Sequence, residues 1–173
     1  MLEELKIPKE RIAVLIGEKG EVKRKLQKLT NTKIIVSSKE GDVSIESEDN
    51  YRVFLTTNII KAIGRGFNPN IALKLLKEDY CLDMISIHDF SGKSKKQEER
   101  IKSRVIGTRG KARVTIERMT NTHISIYGKT ISIIGNVEDV HLAKRALDNL
   151  LNGTPHGNVY KFIDREKDRL EKF

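Results

Sequence analysis

The sequence predicts an α+β fold assembled from two copies of one small module, and three observations support this. The stretch Ile16-Gly17-Glu18-Lys19-Gly20, running on to Thr30-Asn31-Thr32, recurs ninety positions later as Ile106-Gly107-Thr108-Arg109-Gly110, running on to Thr120-Asn121-Thr122. Residues 16–36 and 106–126 align without a gap and share 7 of 21 positions. Behind the first glycine pair Val22, Leu26 and Leu29 lie at helical spacing, and Ala112, Ile116 and Met119 hold the matching places behind the second, so the apolar stripe is duplicated with the turn. Short β-branched runs follow each helical stripe, as in Lys33-Ile34-Ile35-Val36. A period of about ninety residues is too long for a solenoid repeat, so each copy is expected to be a self-contained domain.

Taken in order, Pro8 suits the first position of a helix carrying Ile12, Leu15 and Ile16 up to the first glycine. A second helix is expected from Glu21 to about Leu29, then a strand over 33–36, a turn at Gly41-Asp42 and a returning strand at Val43-Ser44-Ile45. Glu48, Asp49 and Asn50 precede a helix bearing Val53, Ile59, Ile60 and Ile63, which ends near Gly64 and Gly66. The order is strand, helix, helix, strand, strand, helix. In the second copy Met84-Ile85-Ser86-Ile87 opens as a strand, and the polar stretch Ser91 to Lys96 reads as a mobile surface loop. Gly128-Lys129 shortens the strand turn by two residues, and Asn136 caps a helix with Val140, Ala143, Leu147, Leu150 and Leu151 on one face, stopped at Gly153. The expected domains are 1–66 and 81–153. A linker, 67–80, has a short helix starting at Pro69, and an extension, 154–173, carries a charged helix from Val159 onward.

Composition narrows the partner. The 173 residues carry a formal charge of +9, with 13 Lys and Arg against 10 Asp and Glu in residues 1–66 and 20 against 14 in the remainder. Both halves therefore favour a polyanion; charge alone would suit an acidic protein or a membrane surface too, and the glycine turns put nucleic acid first. Cys81 is the only cysteine, which excludes an intramolecular disulfide and fits a reducing, cytoplasmic setting. No run of some eighteen apolar residues is present, so no membrane partner is expected.

The chemistry of a Gly-x-x-Gly turn between helices is geometric. Without a Cβ, the main chain lets phosphates approach closely, and the following helix presents the positive end of its dipole. Glu18, Lys19, Lys23 and Arg24 in the first copy, and Thr108, Arg109, Lys111 and Arg113 in the second, surround the glycines. Ile16, Ile34, Ile106 and Ile124 are candidates for an apolar groove beside them. Aromatic residues make up only 5% of the chain, which argues against binding by ring stacking.

These motifs make both copies resemble type I KH domains (βααββα), in which a three-stranded antiparallel sheet packs on three helices and the GXXG loop clamps about four nucleotides of single strand. The segments Phe67 to Leu76 and Leu151 to Tyr160 are similar to those flanking the KH region in a family of small-subunit ribosome assembly factors, the archaeal counterpart of the factor called partner of Nob. The resemblance implies binding to single-stranded small-subunit rRNA, or its precursor, near the 3′ end. It also implies contact with the endonuclease that matures that end and with other assembly factors. Glu18 sits where a phosphate should pass, so Thr108 and Arg109 make the second loop the better anion site and the second module the expected tighter RNA binder.

Other chemistry finds little support. Gly92-Lys93-Ser94 and Gly128-Lys129-Thr130 echo a phosphate-binding P-loop, but Ile87 and His123 stand where its first glycine is required. His88, His123, His141 and His156 lack ligand spacing, so no metal or cofactor is expected. No acid/base or nucleophile pair can be named, so the expectation is a non-catalytic binder. The alternative is a protein-docking adaptor in an assembly or RNA-processing complex, with RNA binding secondary.

Overall fold

The computed structural model describes residues 1–172 and divides into two compact units, Met1–Glu78 and a second beginning at Asp79. In the first, strand β1 (Leu2–Lys6) leads to helix α1 (Lys9–Ile16), the glycine loop, helix α2 (Glu21–Thr30), strands β2 (Lys33–Ser37) and β3 (Asp42–Glu46), and helix α3 (Asn50–Gly64). A short helix α4 (Pro69–Ala72) continues as a 3-10 turn to Leu76. β3 is central, antiparallel to both neighbours in the order β1-β3-β2. Leu2 lies opposite Glu46 across one pairing, and Ile34 opposite Ile45 across the other. Alternation along the strands sends Ile34, Val43 and Ile45 beneath the helices, where Leu15, Leu26, Ile59, Ile60 and Ile63 bury them.

The second unit repeats the plan with β4 (Tyr80–Ser86), a short helix α5 (His88–Ser91), α6 (Lys95–Ile106), the second loop, α7 (Lys111–Thr120), β5 (His123–Tyr127), β6 (Thr130–Asn136) and α8 (Val137–Leu151), with sheet order β4-β6-β5. The polar stretch expected as a mobile loop is instead structured. Ser91 closes α5, Gly92 turns at φ +59°, and the Ser94 hydroxyl accepts from the Gln97 amide at 3.3 Å to cap α6. α6 thus has 12 residues where α1 has 8.

The two segments placed outside the modules by sequence pack against them as counterparts. Gly66 and Gly153 occupy the same turn after α3 and α8, at φ +101° and +100°. α4 follows the first turn, and α9 (His156–Glu171) follows the second, so the helix expected from Val159 begins three residues earlier, with Pro155 at its N-cap. Arginines from the helix before each loop fasten these turns: the Arg11 Nη2 donates to the Phe67 carbonyl at 2.9 Å, and the Arg104 Nη2 to the Thr154 carbonyl at 2.8 Å. α9 is twice the length of α4 together with its 3-10 continuation, and it lies on α7 and α8. Val159 and Ile163 are completely buried there, each worth about 1.5–3 kcal/mol. Arg145 reaches across from α8 to Glu166 at 3.2 Å and to the Phe162 ring at 5.0 Å.

Candidate nucleic-acid interface

Each loop begins where a helix can no longer continue. The Gly17 amide closes the last turn of α1 on the Ala13 carbonyl, and the Gly107 amide closes α6 on Ser103, both at 2.9 Å. Both glycines then turn at φ +75°, which L side chains rarely adopt. The next positions are equally matched. Lys19 and Arg109 lie at φ/ψ of 54°/25° and 56°/29°, and Gly20 and Gly110 at 76°/13° and 74°/10°. At these three positions two sequences with different loop side chains thus adopt one backbone to within 4°.

The two glycines of each motif have different jobs. A Cβ on Gly17 would collide with Val22, and one on Gly107 would come within 2.7 Å of the Ala112 Cβ and amide. The first glycine is therefore required for packing one helix against the next. A Cβ on Gly110 would meet nothing within 4 Å. The outer glycine leaves a bare, accessible stretch of main chain at the start of α7, where the helix dipole is positive. At Gly20 that space is bordered by Arg24, whose Nη1 lies 3.0 Å from the would-be Cβ and donates to the Lys19 carbonyl at 2.7 Å. Exposed Val114 stands in that place in the second unit.

The Thr-Asn-Thr signature behind each loop is a structural joint. Asn31 and Asn121 end α2 and α7 in the left-handed region at φ +53° and +56°. The flanking threonine hydroxyls hydrogen-bond each other in the core at 2.7 and 2.8 Å. The Gln27 side-chain oxygen accepts from the Ile34 amide, and Glu117 accepts from the Ile124 amide, both at 2.8 Å. Each strand is thereby pinned to the helix carrying the loop.

This joint relocates two of the expected groove residues. Ile34 and Ile124 are 1% and 3% exposed and belong to the cores, because they point inward between outward neighbours such as Lys33 and Ile35. Ile16 is half-buried and Ile106 is 37% exposed, so these two stay at the surface beside the glycines. Lys19, Arg109 and Lys111 are exposed, as is Glu18, and Lys23 is half-buried on α2. Arg113 is engaged by Glu117 at 2.7 Å, which neutralises much of its field toward a ligand.

Sequence reading passed over four residues that the fold brings to the second loop. Arg100 and Arg104 on α6 and His156 and Tyr160 on α9 line a cleft of about 630 Å³ with Gly107, Thr108 and Lys111. The i, i+4 arginines could have been found from helical spacing. The contribution of α9 depends on how the chain returns and has no local signature. Among the described residues no group of three or more His, Cys, Asp or Glu could hold a metal ion, and no helix is long and apolar enough to cross a membrane.

A three-stranded antiparallel sheet in the order β1-β3-β2, covered by three helices with a GXXG loop between the first two, defines a type I KH domain, and the chain contains two in tandem. Residues 81–168 match the family described as the eukaryotic type KH domain (KH-domain type I), and residues 2–62 match the KH domain family. The chain is 42% identical to a KH domain-containing protein of Methanocaldococcus jannaschii, over 99% of this chain and 76% of that protein. It is 30% identical to the RNA-binding protein pno1 of Dictyostelium discoideum, over 86% of this chain and 62% of that relative. A crystal structure of an a/eIF2alpha-aDim2p-rRNA complex from Pyrococcus horikoshii OT3 matches with a TM-score of 0.90 at 42% identity, covering 98% of this chain and 95% of that one. The chain belongs to this partner-of-Nob (pno1/Dim2) family of KH-domain proteins, whose relatives carry the names RNA-binding protein and pre-rRNA-processing protein.

Proposed function

We propose that the protein is a non-catalytic ribosome assembly factor, acting in the cytoplasm, that holds single-stranded small-subunit rRNA near its 3′ end through its two GXXG loops. The observation that carries this reading is the pair of superimposable loops, each a bare left-handed backbone at the start of a helix. The outer glycine of the second is open to solvent beside Arg109 and Lys111. Phosphates would run along that backbone, and the surface isoleucines Ile16 and Ile106 would border the bases. Two modules on one chain turn the second binding event into an intramolecular one, which raises affinity without further contacts.

The second module is the tighter one in this reading. Glu18 faces the phosphate path in the first loop, whereas Thr108 adds no charge in the second. Replacing Thr108 and Arg109 by aspartates leaves the glycines in place. In a fluorescence-polarisation titration with an oligonucleotide of the rRNA 3′ end it should weaken binding by about tenfold or more, since charge-assisted contacts contribute about 1.5–3 kcal/mol each. Binding within error of the parent would overturn the assignment. Affinity should also fall linearly with salt in log–log form, with a slope of about 0.7 per phosphate contacted.

A docking role is favoured by one feature of the first module. Val22, Leu26, Ile59, Ile63 and Leu73 line an apolar cleft of about 180 Å³ between α2, α3 and α4. The Pyrococcus relative was crystallised together with a/eIF2alpha as well as rRNA. In this reading a protein partner, whether that factor or the endonuclease that matures the rRNA 3′ end, would engage the chain while RNA is bound.

A further inference from the structure

We infer that the cleft between α6, the second loop and the start of α9 is a nucleotide subsite, taking one residue of the same RNA strand beyond those held by the loop itself. This rests on the proposal that the second loop binds RNA. At about 630 Å³ the cleft is within the usual size of small-ligand sites, about 300–1,000 Å³. Arg100, Arg104 and Lys111 line it, and no carboxylate does.

The side chains are organised for a nucleotide, not merely for a diffuse anion. Arg104 is anchored through Nη2 on the Thr154 carbonyl, yet its buried Nε has no hydrogen-bond partner among the described residues. A buried donor left unmatched is costly, and a small shift of the side chain toward a phosphate in the cleft would satisfy it. His156 is fixed by its Nε2, 2.8 Å from the Arg104 carbonyl. A carbonyl can only accept, so Nε2 carries the hydrogen and Nδ1 of the neutral ring is an acceptor, suited to a base amino group or a ribose 2′-hydroxyl. Half-buried Tyr160 supplies the ring on which a base can stack, 6.5 Å from the His156 ring centre.

The first module shows that this chemistry does not follow from the fold alone. At the matching positions Glu10, Val14, Glu18 and Glu21 replace Arg100, Arg104, Thr108 and Lys111, and Pro69 and Leu73 replace His156 and Tyr160. Two carboxylates stand where the second module has Arg100 and Lys111, a third replaces neutral Thr108, and Val14 removes the charge of Arg104, so the subsite belongs to the second module only.

The test compares two oligonucleotides of one rRNA 3′-end sequence, four and seven nucleotides long, titrated against the full chain. Arg100→Glu, an exposed change that preserves the fold, should weaken the seven-mer about tenfold and the four-mer by less than twofold. Tyr160→Ala should act in the same direction, with circular dichroism checking that α9 stays docked. The aspartate variant of the second loop should weaken both lengths. An Arg100→Glu protein that binds the seven-mer like the parent while the loop variant does not would overturn the subsite and leave the loop assignment standing. Equal weakening of both lengths by Arg100→Glu would also overturn it, since the cleft would then be part of the loop's own footprint. If neither the loop variant nor Arg100→Glu weakened either RNA, the reading of the loop would fall with it.

Discussion

The two modules carry the same bend on different electrostatic backgrounds, mixed in the first and basic in the second. Their glycine loops agree in backbone to a few degrees, but Glu10, Glu18 and Glu21 surround the first and Arg100, Lys111 and neutral Thr108 the second. The helix that follows each module also differs, ending at Leu76 in one and at Glu171 in the other. The comparison separates two things that a motif name merges. The glycines and the Thr-Asn-Thr joint determine where main chain is bare, and in the proposed reading the neighbouring helices determine whether a phosphate is welcome there.

Exchanging the charges is the strongest way to break this comparison. A chain with Arg100→Glu, Thr108→Glu and Lys111→Glu should lose about a hundredfold in RNA affinity, since several charge-assisted contacts are lost and repulsion replaces them. The reciprocal Glu10→Arg, Glu18→Thr and Glu21→Lys changes, made in a chain whose second loop carries the aspartates, should recover a measurable part of the binding. A failure to recover any would mean that the first loop is not a phosphate site whatever its charge.

The division of labour within each motif gives an intermediate effect. Gly107→Ala forces a Cβ against Ala112 at an unfavourable φ and should destabilise the second module by about 2–4 kcal/mol, read as a fall in its thermal midpoint. Gly110→Ala meets only the conformational cost of about 1–2 kcal/mol, yet should weaken RNA binding more than its stability loss explains. Equal stability losses at the two glycines would erase the distinction.

The smallest effect concerns Asp139 on α8, where the first module has Arg52. Burial, reinforced by neighbouring Glu138, raises the Asp139 carboxyl above its ordinary value, against the opposing pull of Lys167 and a hydrogen bond from Asn121. The folded protein therefore holds this proton more tightly than the unfolded chain does. The ionised group costs stability at neutral pH, and that cost lifts as pH falls through the raised value. Asp139→Asn should leave the thermal midpoint equal or slightly higher at about pH 7, with the gap closing by about pH 3.

Much of this architecture could be read from residue order, because the loop, its two flanking stripes and the strand behind it are encoded locally and written twice. The opening strand of the first module could not be located that way. Leu2-Glu3-Glu4-Leu5-Lys6 has no clear period, Leu2 is exposed, and the segment is a strand because it pairs with β3. Ile34 and Ile124 were expected at a groove, yet their identity in both copies reflects a shared core position beneath Gln27 and Glu117. The cleft at Arg104 and His156 was invisible because these residues are 52 positions apart and meet only through the return of α9.

Lys19 and Arg109 form the tips of their loops in a left-handed conformation that glycine or asparagine would occupy at less strain. The main chain beneath each cation is thus set before any ligand arrives, so backbone freedom at the tip is not lost on binding. With lysine and arginine at the two tips, each loop carries a positive charge at its outermost point on a main chain that a side chain strains.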